Sequence, residues 1–308
     1  MSRGATSYMG FVGVSTGGSS IRQVFPAWAD ALGLPTRTLV GHDVPLDSPP
    51  ETYRAVVEAI RDDPQHWGAL VTTHKMAVHA AARDLFDDCD ELAETFGEIS
   101  CIAKRGDRLV GSAKDPVTAR LALEEIVEPD HFGRTGGAAL VLGSGGAGTA
   151  LSHQLGVRGD RPTEIICTAL DQGPLDHARG IHERAGPPEG LVRYVRTAGA
   201  ADVDALVGAL PPGSLVVNAT GMGKDRPGSP VSADVRFPER GVVWEFNYRG
   251  TLDLYHQALA QQAERQLHVE DGWRYFVHGW TQAVAEVFDV AMPAGAVDEL
   301  GRIATRFR

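Results

Sequence analysis

Residues Ala138–Leu155 read AALVLGSGGAGTALSHQL. The apolar run at the start predicts a buried strand, and the segment after the glycines predicts a helix. Between them, Gly143, Gly145 and Gly148 have the G-x-G-x-x-G spacing. In such a turn the first glycine permits a tight bend, the second lets backbone approach a pyrophosphate, and the third lets helix and strand pack closely. The phosphates then meet free N–H groups at the positive end of a helix dipole. Gly143, Ser144, Gly145, Gly146, Ala147 and Gly148 are the predicted dinucleotide-binding residues. In a chain with 36 glycines the spacing also arises as a plain turn, and the flanking strand and helix favour the nucleotide site. A nucleophile elbow would need glycine two residues before Ser144, and that position is Leu142.

The second strand of this unit ends at CTALDQGPLDHAR, with Thr168 at its end and Asp171 23 residues after Gly148. An acid there binds the ribose hydroxyls of NAD, whereas an arginine accommodates the NADP phosphate. The nearest following arginine, Arg179, lies further along, so the lean is to NAD. A simple turn role for Asp171 before Gln172-Gly173-Pro174 remains equally open.

About 140 residues precede the glycine turn, and the chain of 308 is long enough for two domains. Hydrophobic residues make up 43% and charged residues 22%, as in ordinary globular proteins. The net charge of −11 argues against wrapping nucleic acid or lying on an anionic membrane. Cys89, Cys101 and Cys167 are scattered without a C-x-x-C, which suggests reduced thiols. MSRGATSYMG lacks the apolar run of a signal peptide, and no segment approaches the roughly 18 apolar residues of a membrane span. The expected compartment is the cytoplasm.

Strands alternate with helices throughout, the α/β pattern. In the first half Tyr8–Ser15, TRTLVGHDV and WGALVTTH read as strands. IRQVFPAWADALGL, PPETYRAVVEAIRDDP and KMAVHAAARDLF read as helices, and EISCIAKRGDRLVGSAKD as a hairpin around Gly106. PVTARLALEEIV is a further helix. Glu128–Gly137 is the best candidate boundary. Five strand-like runs follow: AALVLG, TEIICTAL, LVRYVR, SLVVNAT and GVVWEFN. From Asp271 onward the chain is mostly helical. The fold class is two successive α/β domains, the second Rossmann-like.

Two strand–helix junctions in the first half carry chemistry. GALVTTHKMAV places Thr72, His74 and Lys75 at one, and GSAKDPVTA places Lys114 and Asp115 at the other. If the junctions adjoin, Lys75 and Asp115 form a cation–carboxylate pair facing a nicotinamide held by the second domain. Oxidation of an alcohol needs the hydroxyl proton to leave, and a positioned lysine accepts and returns it. In isolation each is an exposed helix-start lysine or a capping aspartate.

The order of these pieces resembles the shikimate/quinate dehydrogenase family across nearly the whole chain. GVSTGGSSI resembles its serine loop, GALVTTHK its G-x-N-V-T-x-P-x-K motif and AKD its N-T-D. GSGGAG resembles its glycine turn, NATGMG its N-A-T element and GWTQAVAEVF its late Gln motif. The resemblance implies Lys75 and Asp115 as the catalytic pair. It implies a substrate-binding domain of residues 1–127 and 272–308, and an NAD(P)-binding domain of residues 128–271. Substrate contacts fall on Ser19, Thr72, Ser100, Lys114, Tyr248 and Gln282. Further cofactor contacts fall on Asn218, Ala219, Thr220 and Met222, with a plain turn at Gly221 and Gly223 as the alternative.

The departures matter. Ser19 fits the first serine of S-x-S, but Ile21 takes the second place and Arg22 the usual proline. Leu70 replaces asparagine, and the segment before Lys75 lacks a proline. Ser100 replaces a substrate-binding asparagine, and Lys114 replaces the threonine beside the aspartate. Gln282 is retained, further than usual from Gly272. Burying Ile and Leu where a ring acid needs polar partners weakens shikimate binding, and Lys114 and Arg22 are candidates for another anion contact. WEFNY resembles the family's D-x-x-Y element, with Glu245 and Tyr248 at its spacing.

The implied activity is hydride transfer between NAD(P) and a ring hydroxyl of shikimate, quinate or a related cyclic acid or cyclitol. A ligand-sensing regulator without turnover, and a lyase using Lys75 as a Schiff base, are the rivals. No metal site is expected from His74 and His79, which lack a carboxylate or cysteine partner. A monomer or homodimer is expected.

Overall fold

The computed structural model describes residues 7–224 and 226–308. Part of the stretch read for a signal peptide, residues 1–6, and Asp225, two residues after NATGMG, lie outside the described residues.

The elements in chain order are β1 (Tyr8–Gly13), α1 (Ile21–Leu32), β2 (Leu39–Asp43), α2 (Pro50–Asp62), β3 (His66–Val71) and α3 (Lys75–Ala82). Next come β4 (Asp88–Cys89), α4 (Glu91–Phe96), β5 (Cys101–Arg105), β6 (Arg108–Ser112), α5 (Asp115–Ile126) and α6 (His131–Thr135). They are followed by β7 (Ala139–Leu142), α7 (Gly146–Val157), β8 (Ile165–Ala169), α8 (Gln172–Ala185), β9 (Val192–Arg196) and α9 (Ala200–Gly208). The last are β10 (Leu215–Asn218), β11 (Val242–Glu245), α10 (Asp253–Arg265), β12 (His268–Glu270), α11 (Trp273–Phe288) and α12 (Ala294–Thr305). Two compact units form: Met1–Asp115 with Val277–Arg308, and Pro116–Phe276.

The first unit is a six-stranded mixed sheet in the order β2-β1-β3-β5-β6-β4. β1 runs parallel to β2 and β3, while β5 and β6 form the antiparallel hairpin expected around Gly106, whose φ of 63° suits the turn. Its core includes Val12, Val57, Ile60, Ala69, Ile99 and Ile102, all at most 1% exposed. Trp28 on α1 is fully buried and donates from Nε1 to the Leu300 carbonyl of α12 at 2.8 Å. Two elements escaped the sequence reading here. The short β4 pairs with β6, and α4 is started by Asp90, whose Oδ1 accepts from Ala93 N at 2.7 Å as an N-cap should.

The second unit is an all-parallel sheet in the order β12-β11-β10-β7-β8-β9. Chain order therefore reverses beside β7, the switch point where doubly wound folds bind ligands at strand carboxyl ends. β7 is completely buried, which accounts for its unbroken apolar sequence. The sequence shows no sign of the three-residue β12, and Glu128–Gly137, the candidate boundary, contains the five-residue helix α6. Among the described residues no helix is long and apolar enough to cross a membrane.

Candidate active site

In the first unit, β3 ends at Val71 and a tight turn leads into α3, whose first residue is Lys75. Thr72 ties this turn to β1, donating from both N (3.0 Å) and Oγ1 (3.1 Å) to the Val12 carbonyl. β6 ends at Ser112, and Asp115 opens α5 three residues later. The path between is pinned by Ser100, whose hydroxyl donates to Ser112 O at 3.4 Å and accepts from Lys114 N at 2.6 Å. Because β3 pairs with β5 and β5 with β6, the two junctions adjoin. Lys75 Nζ donates directly to Asp115 Oδ2. Both side chains are largely buried, at 16% and 11% exposure.

Burial opposes the charge on Lys75, but the carboxyls of Asp115 and Glu98 and the hydrogen bond outweigh it. The lysine therefore holds its proton above the ordinary lysine range. Glu98, in the loop between α4 and β5, is 1% exposed. Burial, together with the Asp115 charge, pushes its carboxyl up to about 8, against the opposing pull of Lys75. No feature of the sequence marks this group.

The other anticipated substrate residues lie as follows. Ser19 is buried at 6%, and its N–H bonds the Thr16 carbonyl at 3.2 Å. Ser100 is buried and its hydroxyl already makes the two bonds above. Ile21 and Leu70 are core residues, at 0% and 8% exposure. Lys114 is paired: Glu286 Oε2 on α11 accepts from its ammonium at 3.0 Å, while Glu286 Oε1 accepts from Arg105 at 2.8 Å. Gln282, one turn before Glu286 on α11, is half-buried. A cavity of about 480 Å³ lies along α2 and α3, lined by Tyr53, His74 and Met76, but neither Lys75 nor Asp115 lines it. His74 binds the Val44 carbonyl at 2.8 Å, and His79 lies 3.7 Å from Glu94. Among the described residues no cluster suited to a metal occurs.

In the second unit the glycine turn joins β7 to α7. Gly143 has φ 95°, and a Cβ there would stand 2.8 Å from the Ala219 backbone; at Gly148 a Cβ would stand 1.9 Å from the Gly143 carbonyl oxygen. At Gly145 nothing lies within 4 Å. Two glycines are therefore required by packing, and the middle one opens onto free space. The first ladder bond of α7 runs from Thr149 N to Gly145 O at 2.8 Å, so the N–H groups of Gly146, Ala147 and Gly148 have no partner within the helix. Such a helix end fits a pyrophosphate. Ser144 is buried and donates to the Thr168 carbonyl at 3.0 Å, and Gly143 N reaches the same carbonyl at 3.1 Å.

Asp171 is the exposed N-cap of α8, directly after β8. Parallel pairing also brings Arg196, at the end of β9, beside β8, where its Nε donates to Leu170 O at 2.9 Å. This cation, 25 residues further along the chain, escaped the sequence reading. Asn218 is 1% exposed. Its amide donates to Glu245 Oε2 at 2.6 Å and Met222 O at 3.2 Å, while its Oδ1 accepts from Thr220 N and Oγ1. Asn218 thus shapes the loop carrying Ala219, Thr220 and Met222. Glu245 is fully buried, and burial raises its carboxyl to about 7 despite N–H bonds from Asn247 and Asn218. Tyr248 packs on Phe276 and Trp273, with ring centroids 4.4 and 5.6 Å away.

No family model matches the chain. A shikimate dehydrogenase (NADP(+)) of Streptococcus gordonii is 29% identical over 163 residues, 53% of this chain and 53% of its own, so the match spans about half of that relative. A shikimate dehydrogenase (NADP(+)) of Sphingopyxis alaskensis is 28% identical over 277 residues, 89% of this chain and 88% of its own. Quinate dehydrogenase from Corynebacterium glutamicum in complex with NAD superposes with a TM-score of 0.73 at 19% identity, covering 98% of this chain and 99% of that one. Shikimate 5-dehydrogenase from Thermus thermophilus in complex with NADP(H) and shikimate gives 0.66 at 24% identity, over 97% and 99%. At these identities the superpositions establish the fold. The fold is that of these dehydrogenase structures, and the sequence relatives bear the name shikimate dehydrogenase (NADP(+)). In sequence, the chain is a divergent relative of the shikimate dehydrogenases, at 28–29% identity.

Proposed function

We propose that this chain transfers a hydride between NAD(P) and a ring hydroxyl of shikimate, quinate or a related hydroxylated cyclic compound. In this reading the second unit holds the dinucleotide, while the first holds the substrate and moves its proton. The buried Lys75–Asp115 pair is the observation that carries the proposal.

During alcohol oxidation the carbinol C–H bond breaks with its electron pair, and the O–H proton passes to the free amine of Lys75. Asp115 orients that nitrogen and stabilises the ammonium that forms. In reduction the ammonium returns the proton to the carbonyl oxygen. Bound NAD(P)+ supplies the hydride acceptor. Thr72, Ser19, Tyr248 and Gln282 are proposed to position the substrate ring. The Gly143–Gly148 turn holds the pyrophosphate, with Thr168, Ala219, Thr220 and Met222 flanking the dinucleotide and Asn218 setting their loop. Asp171 supports NAD by offering an acceptor to the ribose hydroxyls, whereas Arg196 and the NADP(+) relatives support the phosphorylated cofactor. NAD is the favoured choice, because Arg196 Nε is held by the Leu170 carbonyl while Asp171 is exposed beside the strand end.

The altered carboxylate end sets the substrate expectation. With Ile21 and Leu70 in the core and Lys114 neutralised by Glu286, shikimate is held less tightly than a ring whose hydroxyls supply most of the recognition. A spectrophotometric screen of shikimate, quinate, aminoshikimate and cyclitols with NAD+ and NADP+ tests this. Turnover of at least one is expected. Dinucleotide binding with turnover of none would favour the ligand-sensing alternative.

A further inference from the structure

The Lys75–Asp115 pair has a third member that the proposed chemistry does not use. Glu98 is held against it by the backbone: Ile99 N donates to the Lys75 carbonyl at 3.1 Å, and Glu98 N donates to Ala93 O at 3.2 Å. Its side chain is inside the unit, and its Oε1 is buried with no hydrogen-bond partner. A buried carboxyl with an oxygen that accepts no hydrogen bond is costly as an anion. Charged groups act on it from each neighbouring element: Lys75 from α3, Asp115 from α5, and Asp90 from the start of α4. Asp90 is engaged elsewhere, accepting from Ala93 N at 2.7 Å and Ala113 N at 3.2 Å.

Charge arithmetic gives the consequence. With Glu98 neutral, the Lys75 ammonium and Asp115 carboxylate balance. Ionising Glu98 adds a second anion beside one cation in a medium that screens poorly. Lys75 then retains its proton more firmly, although alcohol oxidation needs the free amine.

We infer that Glu98 is a positioning residue that acts through Lys75, biasing it toward the ammonium form and so setting the pH range in which the pair accepts the substrate proton. The inference rests on the proposed role of Lys75 as the proton acceptor. The neutral Glu98 carboxyl near pH 7 follows from burial. Relative to the native enzyme, Glu98→Gln removes the second anion while keeping size. Its expected effect is a shift of the oxidation limb in the kcat–pH profile to lower pH by about one unit, the equivalent of about 1.4 kcal/mol. KM should change little, and Glu98→Asp should lie between the two.

The decisive readout is independent of turnover. Acetic anhydride labels Lys75 in proportion to its free-amine fraction, followed by peptide mass spectrometry on the cofactor-free protein. At pH 9 Glu98→Gln should label about tenfold faster at Lys75, with other lysines unchanged. Equal labelling in a folded variant overturns the inference. In the unmodified protein, ¹³C-glutamate NMR should show a carboxyl titrating near pH 8 that moves higher in Lys75→Met; its absence overturns the inference even if Glu98→Gln does not fold. If labelling shifts but Lys75→Met leaves turnover intact, the hold of Glu98 on the Lys75 proton stands, while its part in catalysis falls with the proton-acceptor reading.

Discussion

Lys114 donates to Glu286 at 3.0 Å, and the same carboxylate holds Arg105 at 2.8 Å. One acid on α11 therefore neutralises two cations of the hairpin region, including the lysine beside Asp115. Lys114 and Glu286 are 16% and 28% exposed, so the pair is only modestly screened. Glu286→Gln should release the Lys114 charge toward anionic ligands. A KM for carboxylated rings lower by several-fold is expected, worth about 1 kcal/mol in such a site, with no change for uncharged cyclitols. Parallel KM series with shikimate and a cyclitol check this, and an equal effect on both would assign Glu286 a purely structural role.

The glycines of the β7–α7 turn should separate by function. Gly148→Ala forces a Cβ onto the Gly143 carbonyl, so overpacking of about 1–3 kcal/mol and a lower Tm are expected. Gly145→Ala meets nothing within 4 Å and has φ −77°, which alanine accepts. Its stability should change by no more than about 0.5 kcal/mol. Dinucleotide affinity should nevertheless weaken about tenfold, or 1.4 kcal/mol, because the added methyl occupies the pyrophosphate side. Calorimetry and fluorescence titration on both variants decide it.

The legibility of this chain followed from how local each signal is. The glycine turn was readable because the buried strand, the helix start and the Gly148 contact with the Gly143 carbonyl all lie within Ala138–Leu155, whereas the packing of Gly143 on Ala219 was not. Lys75 and Asp115 were readable as strand-end residues, but their contact depends on β5 lying between β3 and β6, which no local pattern specifies. The β4 and α4 elements were missed because two and six residues are too few to show a period. β12, with three, failed for the same reason. Glu98, Glu286 and Arg196 are ordinary charged residues in sequence. Burial or strand neighbours far along the chain give each its significance.

Cofactor preference offers a test of Asp171 against Arg196. Asp171→Ser should move the NAD/NADP ratio of kcat/KM toward NADP by about tenfold, 1.4 kcal/mol of discrimination. Arg196→Ala should move it the other way if Arg196 can leave the Leu170 carbonyl for a phosphate. Initial rates with both cofactors at one fixed alcohol concentration give the ratio. No movement in either variant would remove both residues from the cofactor site.

His182 links pH to the stability of the second unit. It is 5% exposed, with Ser152 Oγ 3.0 Å from Nε2 and Tyr194 OH 2.7 Å from Nδ1, and burial depresses its pKa to about 4. The unfolded chain takes up the proton near pH 6.5, while the native ring resists it. Its contribution is therefore present above pH 6.5 and lost as pH falls toward 4, by up to about 3 kcal/mol. Denaturant titrations between pH 4 and 7 should show a flatter slope in His182→Gln. An unchanged slope would place the acid sensitivity elsewhere.

The central claim is that Lys75 takes the substrate proton with Asp115 as its partner. The most direct measurement is the initial rate of dinucleotide reduction with the best cyclic alcohol from the screen, comparing native protein with Lys75→Ala at saturating cofactor. A kcat lower by about 10²–10⁴-fold with dinucleotide affinity unchanged is expected. A folded Lys75→Ala protein that oxidises the same alcohol at the native rate would contradict the account.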